Sequence, residues 1–369
     1  METKETKALY EKHHLPLLIN ASIMNPVGWE KQRETLQSLL EQEVVGRAPY
    51  YDLTGETFRT VREALLPDGN LARHFQVCLP GRDGTETVLN GWLYLPKQTT
   101  RPLAAMIHIG HVPPYNFDTG EIDTRFFPFN TLLNRGYAAL TFRCTDAVPD
   151  EPRYDSGLWR SVYGTEDERK KSCWGAIRAW GWAASRMLDY LTTLPEVNEK
   201  KVAIVGHSRL GKAALWAGAM DTRFSMVISK DSGSGGAALM RGNKLETIAD
   251  LNRKFPHWYA PSYADWNNRE YETPFDAHTL LSLIAPRHLY ISSATNDPWA
   301  DPVLEFAAES AVTPIYRLYD LAGLGDGEMP PPDKPLFGQH MAYHIRTGGH
   351  SLTAQDFQWY CDYADRVWN

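Results

Sequence analysis

The chain has 369 residues, with 38 lysines and arginines against 45 aspartates and glutamates, for a formal net charge of −7. A hydrophobic fraction of 43% with 12% aromatics excludes a disordered chain, and the mild acidity argues against nucleic acid or an anionic membrane as the main partner. No run approaches the ~18 unbroken apolar residues that a membrane-spanning helix requires.

The first twenty residues, METKETKALYEKHHLPLLIN, carry acids where a secretory leader has bare positive charge, and Pro16 interrupts their short apolar patch. Cys78, Cys144, Cys173 and Cys361 lie far apart with no CxxC, the pattern of reduced thiols in a cytoplasmic protein. Residues 1–70 read as a helical extension packed on the main domain. Within them, Trp29–Val45 places Leu36, Leu39 and Leu40 on one stripe, and Gly46 and Pro49 end that helix. Residues 71–369 read as one catalytic domain. It opens with two strand-like runs, HFQVCLPG and VLNGWLYLP, joined by the turn-rich GRDGTE.

Apolar runs then alternate with helical stretches. AAMIHIG, a helix near Phe126–Asn134 and YAALTF are followed by an amphipathic helix near Ser172–Thr193. KVAIVG, a helix over Arg209–Met220 and FSMVIS come next. After a variable region follow HLYIS, a helix near Pro302–Ala311, the run PIYRLY and a last helix over about Thr353–Val367. Ala322–Gly338, rich in Pro and Gly, reads as a surface excursion. This alternation predicts an α/β fold, a mainly parallel twisted sheet flanked by helices, with its active site at the carboxyl ends of the strands.

Lys201–Met220 carries the most chemistry. A buried strand runs into Gly206-His207-Ser208-Arg209-Leu210-Gly211 and a helix of small residues follows, the strand–turn–helix context of a nucleophile elbow and hence of an α/β-hydrolase. The second glycine comes one residue later than in G-x-S-x-G, so Leu210 occupies its expected place. The bland reading is a serine capping a helix. As a nucleophile, Ser208 would have the backbone N–H of Arg209 as one oxyanion donor and a second from the loop after AAMIHIG, near Gly110 or His111.

A serine nucleophile requires an imidazole, and the imidazole a carboxylate. Among twelve histidines, His350 is best placed, after Gly348-Gly349 in a loop that precedes the final helix. Two acids compete to orient it. Asp297 follows the strand HLYIS, and Asp231 follows the strand before it. Asp297 is preferred because its position requires no unusual geometry. His340 and His344 share an i, i+4 spacing, but no HExxH and no third ligand accompany them, so no metal and no organic cofactor are expected. Arg209 and Lys212 place two cations beside the reacting centre, suited to an anionic or strongly polar acyl group; alternatively both pair with Asp231 or Asp276. Trp258 and Trp299 lie near strand ends, where flat rings suit sugars, whereas His257 and His278 read as loop-bonding residues.

Gly206-His207-Ser208-Arg209-Leu210-Gly211-Lys212 is similar to the G-C-S-R-x-G-K motif of glucuronoyl esterases, carbohydrate esterase family 15. Asp231-Ser232-Gly233-Ser234-Gly235-Gly236-Ala237-Ala238 resembles the family's E-S-G-x-G-G-A-A segment. Pro274–His278 and Ala285-Pro286-Arg287 resemble its P-x-D-x-H and A-P-R stretches. His207 stands where the family has Cys, and Asp231 where it has Glu. The resemblance implies that Asp231 holds the family's acid position, that the Arg209 side chain contributes to the oxyanion site, and that Trp299 contacts substrate.

These features together lead us to expect a serine carboxylester hydrolase acting on small-molecule or oligosaccharide esters, resembling 4-O-methyl-glucuronoyl methylesterase. An acetylxylan or acetyl-oligosaccharide esterase is the alternative; a non-catalytic carbohydrate-binding hydrolase fold and a peptidase rank below it.

Overall fold

Strands arise where apolar runs leave no polar face, and the computed structural model of the chain describes them within residues 4–19, 23, 25–48, 55–81, 84–98, 102–163, 173–324 and 328–368. Helices α1 (Lys4–His13) and α2 (Pro26–Leu40) come first, α2 running on through a π-helical turn over Glu41–Val45. Strands β1 (Thr57–Leu65), β2 (Leu71–Pro80), β3 (Glu86–Leu95) and β4 (Leu103–Gly110) follow. Next are α3 (Phe129–Asn134), β5 (Ala138–Arg143), α4 (Gly157–Tyr163), α5 (Ala176–Thr192), β6 (Val197–His207), α6 (Arg209–Met220) and β7 (Met226–Lys230). The chain closes with α7 (Ile248–Lys254), α8 (Ala277–Ser282), β8 (His288–Ala294), α9 (Pro302–Ser310), α10 (Thr313–Arg317), β9 (Leu336–Phe337), β10 (Met341–Arg346) and α11 (Ala354–Trp368).

Among the described residues these strands form one sheet in the order β1-β2-β3-β5-β4-β6-β7-β8-β10-β9. From β5 to β10 all neighbours are parallel, while the β1–β2–β3–β5 edge and the β9 edge are antiparallel. Helices cover both faces. One core joins α2, α5 and α6 to the sheet through Trp29, Leu40, Trp180 and Trp216, and the other joins α3 and α11 through Phe129, Phe357 and Tyr360. This is the α/β-hydrolase fold. The amino-terminal segment seats on the first face: Arg33 donates to Leu283 O at 3.0 Å, and His278 donates to Pro16 O at 2.9 Å.

Two element readings change. Residues 57–65, expected in a helical layer, form β1, an exposed edge strand carrying Arg59, Arg62 and Glu63; charge on an edge blunts further pairing and hides the strand signal. PIYRLY is not a strand. Its first four residues belong to α10 (Thr313–Arg317), with Pro314 in the first turn, and the last long strand is MAYHIR, β10. Short apolar runs do not distinguish strand from helix by themselves, and proline favours the helix start. Pro49, Arg82, Asp83, Ser172 and residues 325–327, which earlier expectations touched, lie outside the described residues. Among the described residues no helix is long and apolar enough to cross a membrane.

The turn from β6 to α6 depends on a close approach. A Cβ at Gly206 would stand 2.0 Å from the Leu210 carbonyl oxygen, so only glycine lets the helix fold back over the strand end. Gly206→Ala is expected to cost about 1–3 kcal/mol of stability through overpacking, read as a lowered urea midpoint with an unchanged slope.

Candidate active site

Ser208 sits between β6 and α6 with φ 58° and ψ −128°, left-handed territory that a non-glycine residue occupies at a cost of about 1–3 kcal/mol. Its N–H donates to Lys230 O at 2.8 Å, which extends the β6–β7 pairing and holds the turn. Because α6 begins at Arg209, the N–H groups of its first turn have no intrahelical acceptor and are free to meet a developing negative charge.

The carboxyl ends of three further strands bring their loops to the same place. After β10, His350 donates from Nδ1 to Asp297 Oδ2 at 2.6 Å, and Asp297, in the loop after β8, also accepts from Ala300 N. The two loops are stitched together. Asn296 N donates to Gly348 O at 2.8 Å, and Gly348 N donates to Thr295 Oγ1 at 3.1 Å. Asp231, directly after β7, is fully buried with φ 46°, and its carboxylate lies 3.7 Å from His207 Nε2 and 3.4 Å from Lys230 Nζ. Ligand atoms of His207, Asp231 and His350 all lie within 4.8 Å of one another. Both competing acids thus reach the neighbourhood of His350, and only Asp297 has a hydrogen bond to it.

Electrostatics separates the two acids. Burial raises Asp297, but the bond from His350, the charge of that ring and the Ala300 N–H together outweigh it and leave the carboxyl below its usual range. Burial dominates at Asp231 and pushes it up to about 6, against the pull of Lys230. The Asp297 bond holds His350 above the ordinary histidine value of 6.5 despite its burial. His207, whose ring centroid lies 4.4 Å from that of His350, is driven down to about 3 by burial and by the neighbouring His350 and Lys230.

Ser208, Arg209, Lys212, Asp231, Trp258, Asp297, Trp299 and His350 line one cavity of about 380 Å³. His111 does not line it. It follows β4, with Nδ1 3.5 Å from Cys144 Sγ. A larger hollow of about 750 Å³ opens at the other end of the strands, beside Ser225 and His288. Its buried cation, Arg287, donates to the carbonyls of Gly218, Asp221 and Phe224, so the smaller cavity holds the chemistry.

The two expected cations differ. Lys212 is buried and donates to Ser232 O and Ser234 O, with the Glu246 carboxylate 3.2 Å away. Its charge is taken up inside the protein. Arg209 is partly exposed and pairs through Nη1 with Asp150, lying 5.0 Å over the Trp258 ring. Neither pairs with Asp231 or Asp276; Asp276 caps α8 and binds Arg241. Asp150 also accepts from His257 Nε2 at 2.9 Å and Trp258 Nε1 at 2.8 Å, and these bonds together with the Arg209 guanidinium outweigh burial and hold it well below the carboxylate range. Trp258 is buried, stacked on Phe255 at 3.7 Å, whereas Trp299 is 36% exposed with Lys254 Nζ 3.8 Å over its ring. Asp150, Glu246, Lys230 and Lys254 escaped the sequence reading. Lys230 alone left a signal there, a charge ending an otherwise apolar strand.

Comparison with known proteins places this geometry in context. A family model described as "Glucuronyl esterase, fungi" matches residues 82–320. The chain is 42% identical over 235 residues to Carbohydrate esterase MZ0003 from an unknown prokaryotic organism, covering 63% of this chain and 54% of that protein. It is 29% identical over 203 residues to 4-O-methyl-glucuronoyl methylesterase 1 of Phanerochaete chrysosporium, covering 52% and 41%. A solved glucuronoyl esterase from Solibacter usitatus superposes with a TM-score of 0.87 at 31% identity, over 96% of this chain and 98% of that one. The matched stretch spans about half the length of these curated relatives.

Lys212→Met leaves the Glu246 carboxylate buried without its cation, and a loss of about 3–5 kcal/mol in chemical denaturation is expected. Lys212→Met combined with Glu246→Gln should recover part of that loss.

Proposed function

The chain belongs to the glucuronoyl esterase family, and on that premise we propose that it hydrolyses carboxylic esters of carbohydrates with Ser208 as nucleophile, His350 as base and Asp297 as orienting acid. The observation that carries this reading is the 2.6 Å bond from His350 Nδ1 to Asp297, in the cavity that Ser208 also lines. That bond fixes the tautomer, leaving the lone pair of His350 Nε2 to accept the serine proton.

Ser208 Oγ attacks the ester carbonyl as its proton passes to His350. The tetrahedral oxyanion then meets the N–H of Arg209 at the start of α6 and, as the family resemblance implies, the Arg209 guanidinium. Asp150 and the Trp258 ring hold that guanidinium in place. Collapse expels the alcohol, which takes the proton back from the imidazolium. Water, activated by the same imidazole, releases the acid product and regenerates Ser208. Trp299, exposed at the cavity edge, presents a face for a sugar ring. Lys212 acts through structure, holding the Ser232–Ser234 turn against α6.

The preferred substrate is an ester of a glucuronic acid, as in the names of the relatives. One observation favours the second reading, acetyl release: Lys212 is neutralised by Glu246, which removes one of the two cations expected to face a polar acyl group. Benzyl glucuronate and an acetylated xylo-oligosaccharide, each tested on the wild type and on Ser208→Ala, separate the two. Faster release of benzyl alcohol, abolished in the variant, supports the glucuronoyl reading. Faster acetate release supports the second, and activity on neither overturns both.

Three further outcomes follow from the electrostatics. Because His350 is held above 6.5, its protonated and inactive form persists to a higher pH, so kcat/KM should rise with pH through an apparent pKa above that value. Asp297→Asn should lower kcat on the order of 10³- to 10⁴-fold and move that limb to lower pH, since the carboxylate charge that raises His350 is lost. Asp231→Asn should move the limb the same way by less. An unmoved limb in both variants would mean that neither acid sets the base.

A further inference from the structure

We propose that His207, Asp231 and His350 form a binding site for a borderline divalent cation, Zn²⁺ being the best fit, and that its occupancy blocks the esterase reversibly. The binding claim stands on the geometry alone; the block rests on His350 being the base.

The donor set is unusual in what it leaves unused. Both Asp231 carboxylate oxygens and His207 Nε2 are buried with no hydrogen-bond partner, as is Lys230 Nζ, which stands 3.4 Å from Asp231 Oδ1 as its ion-pair partner. A buried polar atom without a hydrogen bond costs about 1–3 kcal/mol, and with Lys230 beside Oδ1, Asp231 Oδ2 and His207 Nε2 are left facing each other for an occupant to join. His207 Nε2 and Asp231 Oδ2 stand 3.7 Å apart. Ligands at about 2.0–2.2 Å from a tetrahedral Zn²⁺ lie roughly 3.3–3.6 Å from each other, so this pair is already close to spacing. His350 closes the triangle, with all three donors within 4.8 Å of one another and its side chain 40% exposed to the cavity side.

The surroundings suit a cation. Asp297 accepts the Nδ1–H of His350, which directs the other ring nitrogen outward, the carboxylate–histidine–metal arrangement that orients metal-bound imidazoles. Asp231, Asp297 and Asp356 supply three negative charges nearby against the two positive charges of Lys230 and Arg346. Two imidazoles with one carboxylate select zinc-like ions over Ca²⁺ or Mg²⁺, which prefer oxygen. The cavity lined by Ser208 leaves the fourth position to water or to the serine hydroxyl. A bound ion would hold the lone pair on which serine deprotonation depends.

Calorimetric titration of the metal-stripped full chain with ZnCl₂ tests the site. One Zn²⁺ per chain is expected, with affinity at least about ten-fold weaker in His207→Phe and in Asp231→Asn. Co²⁺ should give the absorption bands of a four-coordinate ion in the wild type and lose them in both variants. Absence of saturable binding, or equal affinity in wild type and variants, overturns the site. Labelling of Ser208 by a fluorophosphonate reads the block separately: Zn²⁺ should slow it, and a chelator should restore it. Unchanged labelling at saturating Zn²⁺ overturns the block. A protein that stays unlabelled with no metal present contradicts the serine-hydrolase reading and, with it, the block, while calorimetry still decides the site.

Discussion

A single buried ammonium orders the carboxyl edge of the sheet. Lys230 ends β7 with no exposure, 3.4 Å from Asp231 and 3.6 Å from Asp356. Burying a lone cation costs several kcal/mol, so the two carboxylates must stay within reach of it. Asp356 extends the constraint. It accepts from His344 Nε2 at 2.9 Å, from Arg346 Nε at 3.2 Å and from Thr353 N at 2.7 Å, tying α11 to β10. Arg346 in turn donates to the carbonyls of Thr347, Gly349 and Ser351, the backbone that carries His350. The placement of the proposed base is therefore transmitted from a lysine two strands away.

The parallel register makes this network a row. His207 pairs with Lys230, Lys230 with Ser292, and Ser292 with His344, so polar residues line up across β6, β7, β8 and β10 at one rung. On that rung each polar group has to find a partner on the α11 side or remain unpaired. Ser292 meets Tyr360, and His344 meets Asp356 and Tyr290. His207 Nε2 meets none. A second polar system lies on the α6 side, where Lys212 and Glu246 pin Ser232 and Ser234 while Glu305 accepts from Ser232 N and Gly233 N. The cavity opens between the two systems.

Much of this was legible in the residue order, and what was not has physical reasons. Gly206, Ser208 and the small residues after them announce a strand folding into a helix, because a tight turn excludes side chains whatever the rest of the chain does. The helix expected over about Arg209–Met220 is α6. β1 was missed because an edge strand with its side chains exposed has no apolar alternation to read. Sequence spacing leaves Lys212 equally open to facing substrate or pairing internally, because it says that a residue lies near the serine, not which way it points. Asp150 left no trace. Its role comes from Arg209, His257 and Trp258 converging on it, and only folding brings them together. The polar rung was present as VGH, ISK, ISS and YH at the ends of apolar runs, but a row requires register, which four separate segments do not disclose.

Two acids beside one histidine would be redundant if their surroundings were alike. They are not. Asp297 sits where the histidine proton compensates it and stays ionised across the range in which an imidazole titrates. Asp231 sits in the interior next to the buried Glu305, itself pushed up to about 8, and burial pushes Asp231 up to about 6. Environments that drive two carboxyl groups apart assign them different work. Asp297 orients the ring through a fixed bond. Asp231 has no bond to the ring, and its charge, when present, adds to what raises His350. At Asp231 the chain is one methylene shorter than the glutamate of the resembling family, and no hydrogen bond from Asp231 to the histidine forms. The shorter side chain therefore leaves orientation to Asp297 and keeps Asp231 as a field, and that division follows from reach and burial rather than from a difference in chemistry between the two acids.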